Sequence, residues 1–172
     1  MQILFQEKLL STKEHSILTV LLLHLILHQM QISMEFTLDR FREAHKSSYE
    51  MALWEIRNGR KESHWIWYIF PQIQGLGYSA MAQYYEIQNR EEAVAYWKDP
   101  VLSGHLVEIS RALLRLDDSI DDILGYPDNL KVKSCMTLFY LVTGEEIFKM
   151  VLDKFYHGEL DGYTRQKLTE KA

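Results

Sequence analysis

Side chains that can bind an anion are concentrated in one short part of this sequence, between Arg60 and Ser79. Arg60 and Lys61 form a cationic pair of the kind that holds a phosphate or a carboxylate. His64 lies beside an apolar run, where an imidazole can titrate near neutral pH or orient a ligand, and the amide of Gln72 can bind a substrate edge. Because polar groups around an apolar run are typical of a pocket, this stretch predicts a site for a small anionic ligand of the nucleotide or ribose-phosphate type.

A glycine loop, Gly75-Leu76-Gly77-Tyr78-Ser79-Ala80, ends this stretch and formally satisfies the G-x-G-x-x-A pattern of dinucleotide-binding folds. That pattern functions only when a strand leads into the first glycine, whereas Pro71 and two glutamines separate the apolar run from the loop. Two other interpretations are open. The glycines can permit a tight turn or a close approach of the backbone, or the loop N–H groups and the start of the next helix can bind an anion in a pocket beside the loop.

Three further residues are candidates for the same site. Trp65 and Trp67 lie on different faces of a helix, so at most one of them lines a pocket, and Trp67 is our candidate. Lys131 and Ser134, three residues apart, can present an ammonium and a hydroxyl on one helix face, with a salt bridge and a bond back to the helix backbone as the structural alternative. The predicted ligand-binding set is Arg60, Lys61, His64, Trp67, Gln72, Gly75, Gly77, Ser79, Lys131 and Ser134.

Each of these residues also has an ordinary structural interpretation. A histidine can donate to a carbonyl in the core, a Lys-Arg pair on a loop is commonly solvated, and a serine before a helix is more often a cap than a nucleophile. In that case the aromatic segment is the folding core, and its exposed aromatic side chains meet another protein. The alternative prediction is a non-catalytic helical module for protein–protein interaction.

Composition and charge exclude several classes of partner. The 172 residues include 24 acidic and 19 basic side chains, for a net charge of -5, so nucleic acid is not expected as a general partner. The single cysteine, Cys135, excludes an internal disulfide and is compatible with a reducing compartment, which predicts a cytoplasmic location. No cofactor and no metal site is predicted, since the acids around Asp121 straddle a helix junction. No catalytic residue is assigned, because the members of a catalytic triad meet only in the folded chain.

The beginning of the chain differs from the rest. The segment Ser16–Met30 is far more apolar than anything after it, but its strongest run, Ile17–Leu27, is shorter than the roughly 20 residues that a membrane span requires. Gln29–Ser33 has no small-residue cleavage pattern of a signal peptide. We therefore expect residues 1–33 to be an N-terminal apolar extension outside the natural domain, and residues 34–172 to be a single helical domain that makes no membrane contact.

Helical periodicity and capping signals divide that domain into about seven to eight helices. The predicted helix starts are Thr37, Ser79, Asn89, Asp99, Ser119, Pro127, Glu145 and Asp161. The helix after Ser79 is expected to run to about Gln88, and Gly59, Gly125 and Gly144 are expected to end others. Over His64–Phe70, periodicity alone does not distinguish a buried helix from a buried strand.

Several of these segments together resemble one known family. Gly59-Arg60-Lys61 with Ser63-His64-Trp65, followed by Phe70-Pro71-Gln72, Gly75-Leu76-Gly77 and Ser79, resembles the defining motif of domain-of-unknown-function family 1810, a mainly bacterial family sometimes labelled calpastatin. The similarity continues through Glu92-Ala93, Tyr96, Pro100-Val101-Leu102, residues 127–131, Ser134, residues 136–139, Gly158, Asp161 and Thr164.

This resemblance implies an all-α fold and no established activity. It implies a single multihelical domain in which the run from His64 to Phe70 is a buried, aromatic-rich central helix. One departure from the family is visible in the first helix, where such proteins usually have Gln and this chain has His45 after Ala44. A role that the family assigns to this position is therefore not transferred to this chain.

Overall fold

The structure, a computed structural model, describes residues 37–170. Over these residues the chain forms nine α-helices, and its only extended pairing is one isolated bridge. The helices are α1 (Asp39–Arg57), α2 (Ile66–Ile69), α3 (Ala80–Tyr84), α4 (Arg90–Lys98), α5 (Pro100–Leu114), α6 (Ile120–Leu124), α7 (Asp128–Thr143), α8 (Glu146–Tyr156) and α9 (Gly162–Thr169). The predicted all-α fold is confirmed, with nine helices in this part of the chain where seven to eight were expected. The predicted extension over residues 1–33 lies outside the described residues.

Most helix starts follow from local capping chemistry. The Asp99 carboxylate accepts bonds from Val101 N and Leu102 N, both at 3.0 Å, and Pro100 occupies the first helical position of α5. Asn89, Ser119 and Asp161 cap α4, α6 and α9 in the same way. The predicted cap at Thr37 is wrong, because Leu38 is the N-cap of α1 and no side chain caps it.

The central aromatic run is a helix of one turn, and the expected buried helix is confirmed in this shorter form. Trp65, Ile66, Ile69 and Phe70 are almost completely buried, whereas Trp67 is half-buried and His64 is exposed. Pro71 follows directly and has no N–H with which to continue the helix. The turn packs against α1 and α7, so it lies close to the centre of the described domain.

The segment after this turn forms a loop whose two ends are hydrogen-bonded to each other. Gln74 N donates to Ile87 O and Ile87 N donates to Gln72 O, both at 2.8 Å, which forms the isolated parallel bridge between Ile73 and Ile87. The helix after Ser79 therefore ends at Tyr84, short of the expected Gln88, because the chain must extend to reach the bridge. Since no strand leads into the glycine loop within residues 37–170, the dinucleotide-binding interpretation is wrong.

Aromatic rings connect the helices of the core. Phe41 of α1 packs edge-on against Tyr96 of α4, with ring centroids 5.1 Å apart, and Tyr96 in turn contacts Phe139 of α7. Phe139 contacts Phe148 of α8. All four rings are fully buried, so these four helices share one apolar interior. None of the helices between residues 37 and 170 is long and apolar enough to cross a membrane.

Candidate functional site

Two lysines from distant segments meet at one carboxylate. Lys61 Nζ lies 2.8 Å from Asp128 Oδ2, and Lys131 Nζ lies 2.7 Å from Asp128 Oδ1. The Lys61 ammonium is 5.3 Å from the centre of the Trp65 ring, and that of Lys131 is 4.8 Å from the centre of the Trp67 ring. We call these five residues the lysine cluster. The charged side chains are only 11%, 15% and 19% exposed, for Lys61, Asp128 and Lys131 respectively.

Local structure accounts for this convergence. Asp128 is the first residue of α7 and Lys131 is three residues later, so the two side chains lie on the same face of the helix. Lys61 is held by its own backbone, because its N–H donates to Ile123 O of α6 at 2.7 Å. Burial tends to raise the pKa of Asp128, but hydrogen bonds and charge from the two lysines outweigh burial and lower this pKa. The ionised cluster therefore carries a net charge of +1.

A cleft of about 550 Å³ opens beside this cluster. It is lined by Arg60, Lys61 and residues 121–125. Its two acids, Asp121 and Asp122, accept hydrogen bonds from the neutral side chains of Asn129 in α7 and of Ser119, so they are positioned but keep their negative charges. None of the ion pairs within residues 37–170 involves Arg60, an exposed residue that lines the cleft.

A buried glutamate of α1 fixes the loop that carries Lys61. The side chain of Glu55 is 1% exposed and accepts from Glu62 N at 2.8 Å, from Ser63 N at 3.0 Å and from Trp65 Nε1 at 2.7 Å. It also accepts from the Ser63 hydroxyl. Burial raises the pKa of Glu55, but these bonds together outweigh burial and lower it. Sequence reasoning missed Glu55; its signal is an acid on the buried face of an amphipathic helix.

Other predicted residues lie in different surroundings. The side chain of His64 is exposed, and its carbonyl accepts from the Tyr68 hydroxyl at 3.2 Å. Ser134 is buried in α7, whereas Lys131 on the same helix is half-buried. The ion pair of the structural alternative for Lys131 is present, with Asp128 as its partner, and a role of Lys131 in ligand binding stays a prediction. Of the ten predicted residues, Lys61, Trp67 and Lys131 meet in the lysine cluster, with Arg60 at the adjoining cleft.

The glycine loop has its own structural roles. Gly75 has a φ of +90°, and a Cβ there would lie 2.2 Å from the Tyr163 hydroxyl of α9. A Cβ at Gly77 would lie 2.3 Å from Cβ of Ala82. The predicted close approach of the backbone is thus confirmed at both glycines, and Ser79 caps α3 by accepting from Ala82 N at 3.1 Å.

A second cleft, of about 390 Å³, lies between the Ile73–Ile87 bridge and α9. Its walls are Ile73, Gln74, residues 88–91 and residues 167–170. None of residues 75–79 lines it, so it borders the glycine loop without including it. Of its two cations, Lys167 is paired with Glu170 at 3.1 Å, and Arg90 donates to Leu141 O at 3.3 Å. Within residues 37–170 no three His, Cys, Asp or Glu side chains are placed to bind a metal ion.

A second polar group, which we call the histidine cluster, consists of His45, His105 and Tyr49. His45 Nε2 lies 2.8 Å from Tyr68 O. Since a carbonyl only accepts, this nitrogen carries the proton, and His45 Nδ1 accepts from His105 Nδ1 at 3.0 Å. The Tyr49 ring is stacked on His105 at 3.5 Å between centroids. Burial lowers the pKa of His45 to about 4 and also lowers that of His105.

Comparison with known proteins identifies the class to which this helical domain belongs. The family described as "protein of unknown function (DUF1810)" matches residues 35–168, and the chain belongs to this family. The chain is similar to the conserved hypothetical protein Rv1873 from Mycobacterium tuberculosis, whose crystal structure superimposes with a TM-score of 0.77. The two sequences are 39% identical over 79% of this chain and 99% of that chain. No curated protein matches this chain significantly.

Proposed function

We propose that this DUF1810 protein is a cytoplasmic protein that binds a small anionic ligand, of the nucleotide or ribose-phosphate class, in the cleft beside the lysine cluster. The observation that carries the proposal is the convergence of Lys61 and Lys131, from separate segments, on a single carboxylate. Both ammonium groups are largely shielded from water and are held over indole rings. Fixed cations in a partly desolvated place attract an anion more strongly than mobile surface lysines do.

The surroundings of the cluster add the other features that such a ligand needs. Arg60 lines the cleft and supplies a further cation, with the planar fork of donors that suits a phosphate. Trp67 is half-buried and holds Lys131 over its ring, so its part in the proposed site is to position that ammonium. For His64, Gln72 and Ser134, a direct contact with the ligand stays a prediction.

Thermal unfolding with a panel of anions tests this function. We expect inorganic phosphate, AMP or ribose 5-phosphate to raise the Tm of the wild type by about 5 °C or more at a hundredfold excess over Kd, because a ligand that binds only the folded state stabilises it by about 2.7 kcal/mol. Lys61→Met and Lys131→Met should abolish this shift.

Lys133→Met is the matched control. It removes the same charge from the same helix as Lys131→Met, at a side chain that pairs with Glu159 away from the cluster. It should retain the wild-type shift. Equal shifts in all three variants, or no shift of the wild type with any member of the panel, would contradict the proposed function.

A second candidate function, the non-catalytic interaction module, is favoured by one observation. Tyr78 is 92% exposed, and Met81 and Tyr84 of the short helix α3 are also exposed. Exposed tyrosines and methionines are typical of protein interfaces. If the wild type shows no anion-induced shift while Tyr78→Ser combined with Tyr84→Ser abolishes a reproducible co-purifying partner, the interaction module replaces the ligand site as the function.

A further inference from the structure

The carboxylate of Asp128 lies where an oxyanion would bind between two cations. Building on the proposed function, we propose that Asp128 is an internal competitor that restricts the site to dianionic phosphate monoesters. The competitor is part of the chain, so it is present at a fixed and high effective concentration. A ligand must therefore interact with the two lysines more favourably than a carboxylate does.

The geometry supports this competition directly. Each carboxylate oxygen takes one ammonium, at 2.8 Å for Lys61 and 2.7 Å for Lys131. A phosphate has oxygens with a comparable spacing and can take the same two partners. The Asp128 side chain is 15% exposed and Lys61 lines the cleft, so the proposal requires an incoming anion to approach the pair from the side of Lys61.

The lysines do not depend on Asp128 alone for their positions. Lys131 lies over the Trp67 ring, and Lys61 lies over the Trp65 ring, whose indole is bonded to Glu55. A ligand that displaces the carboxylate therefore finds two ammonium groups that are already held apart and oriented. Asp128 sits in the first turn of α7, where a displaced carboxylate remains favourably placed relative to the helix dipole.

Competition with a carboxylate sets a charge requirement. A monoanion offers the two lysines no more charge than Asp128 already does, whereas a phosphate monoester above pH 7 carries close to two charges. The wild-type site should therefore discriminate between a phosphate monoester and a phosphate diester. Replacing Asp128 by a neutral residue should tighten the binding of both esters, because the same competing carboxylate is removed for each, and it should bring the weaker binding of the monoanion into the measurable range.

Calorimetric titration with methyl phosphate and dimethyl phosphate at pH 8 tests the inference. For the wild type we expect a preference of about tenfold or more for methyl phosphate, the dianion. For Asp128→Asn we expect both esters to bind about tenfold more tightly than to the wild type, with methyl phosphate still preferred. Asp128→Ser is the second variant, and circular dichroism with thermal unfolding establishes that each variant is folded.

Asp153→Asn controls for net charge. It removes one acid from the surface pair that Asp153 forms with Lys149 on α8, and it should leave both affinities at the wild-type values. Weaker or unchanged binding of methyl phosphate by folded Asp128→Asn and Asp128→Ser, beside clear binding by the wild type, would overturn the inference and leave the proposed function intact. If the wild type and both variants bind neither ester, the inference fails, and the proposed function fails with it when no anion of the thermal panel shifts the Tm either.

Discussion

The histidine cluster and the lysine cluster place polar groups in opposite situations. His45 is 2% exposed and is bonded to a carbonyl and to a second imidazole, all in neutral form. Lys61 and Lys131 are charged, retain some contact with solvent and compensate for only part of their charge through Asp128. Both ring nitrogens of His45 are bonded inside the protein, whereas the lysine cluster carries one positive charge that Asp128 does not compensate.

This difference indicates where polar groups stabilise the fold and where they are available to a ligand. When one partner of a fully buried hydrogen bond is removed, the other partner stays buried without a bond to protein or to water. Such a substitution therefore lowers the free energy of unfolding strongly. A partly exposed ion pair is replaced by solvent contacts and contributes little to stability. How completely a polar group is buried, more than whether it is charged, should therefore determine how much a substitution in either cluster lowers the free energy of unfolding.

Glu55 gives the strongest test, because it is charged like the lysines but buried like His45. Glu55→Ala leaves the buried donors of Ser63 and Trp65 without an acceptor, and we expect it to lower the free energy of unfolding by about 3–5 kcal/mol. Glu55→Gln keeps one acceptor oxygen and should lose about half as much. Urea denaturation measures both values. A loss below 1 kcal/mol for Glu55→Ala would show that burial is not the deciding factor.

The second largest change in stability is expected at acid pH, through the histidine cluster. The pKa of His45 is about 4 in the folded chain and 6.5 in the unfolded chain, so between these values only the unfolded chain takes up the proton. Stability should therefore fall as the pH falls from about 6.5 to 4, by roughly 3 kcal/mol from His45. The lowered pKa of His105 contributes in the same direction.

His45→Gln should flatten this pH dependence. Its amide can donate to Tyr68 O and accept from His105, but it does not titrate. Urea denaturation of the wild type and the variant across this pH range measures the difference. His157→Gln, at an exposed histidine, is the control and should retain the pH profile of the wild type. If the stability of the wild type and that of His45→Gln depend on pH in the same way, His45 is not the cause of the acid sensitivity.

The smallest effect on stability is expected in the lysine cluster. Lys131→Met removes one of the two ammonium partners of Asp128, which keeps its pair with Lys61, and it should lower the free energy of unfolding by about 1–2 kcal/mol, less than Glu55→Ala. The same variant should lose the anion-induced Tm shift. Urea denaturation without ligand measures the first quantity. A destabilisation as large as that of Glu55→Ala would place the lysine cluster among the structural networks.

Much of the fold follows from short-range signals in the sequence. Asp99, Asn89 and Ser119 bond to N–H groups two or three residues later, so the residues that decide these helix starts are neighbours in the chain. The end of α3 at Tyr84 was not predictable in this way. It depends on the bridge from Ile87 to Ile73, and nothing near Tyr84 indicates that the chain must turn to extended structure there.

The candidate site was predictable only in part, for the same reason. Lys61, Trp67 and Lys131 were identified by residue type, but the pairing of Lys61 with Asp128 depends on how the loop packs against α6 and α7. The histidine cluster joins helices α1 and α5, and periodicity alone indicates no specific partner for His45. His64 was expected beside a pocket, and its exposure results from its position just before the buried turn.

The bridge between Ile73 and Ile87 also indicates which segment of this protein can change in sequence without disturbing the core. Because the two ends of the loop are bonded to each other, residues 74–86 resemble a cassette whose anchor points stay fixed when its contents change. A graft into this cassette needs to keep Gly75, which fits beneath Tyr163. The exposed residues Tyr78 and Tyr84 belong to this segment, and no residue of the lysine cluster does. Exchanging the segment between relatives would therefore change one surface of the protein and leave the lysine cluster unchanged.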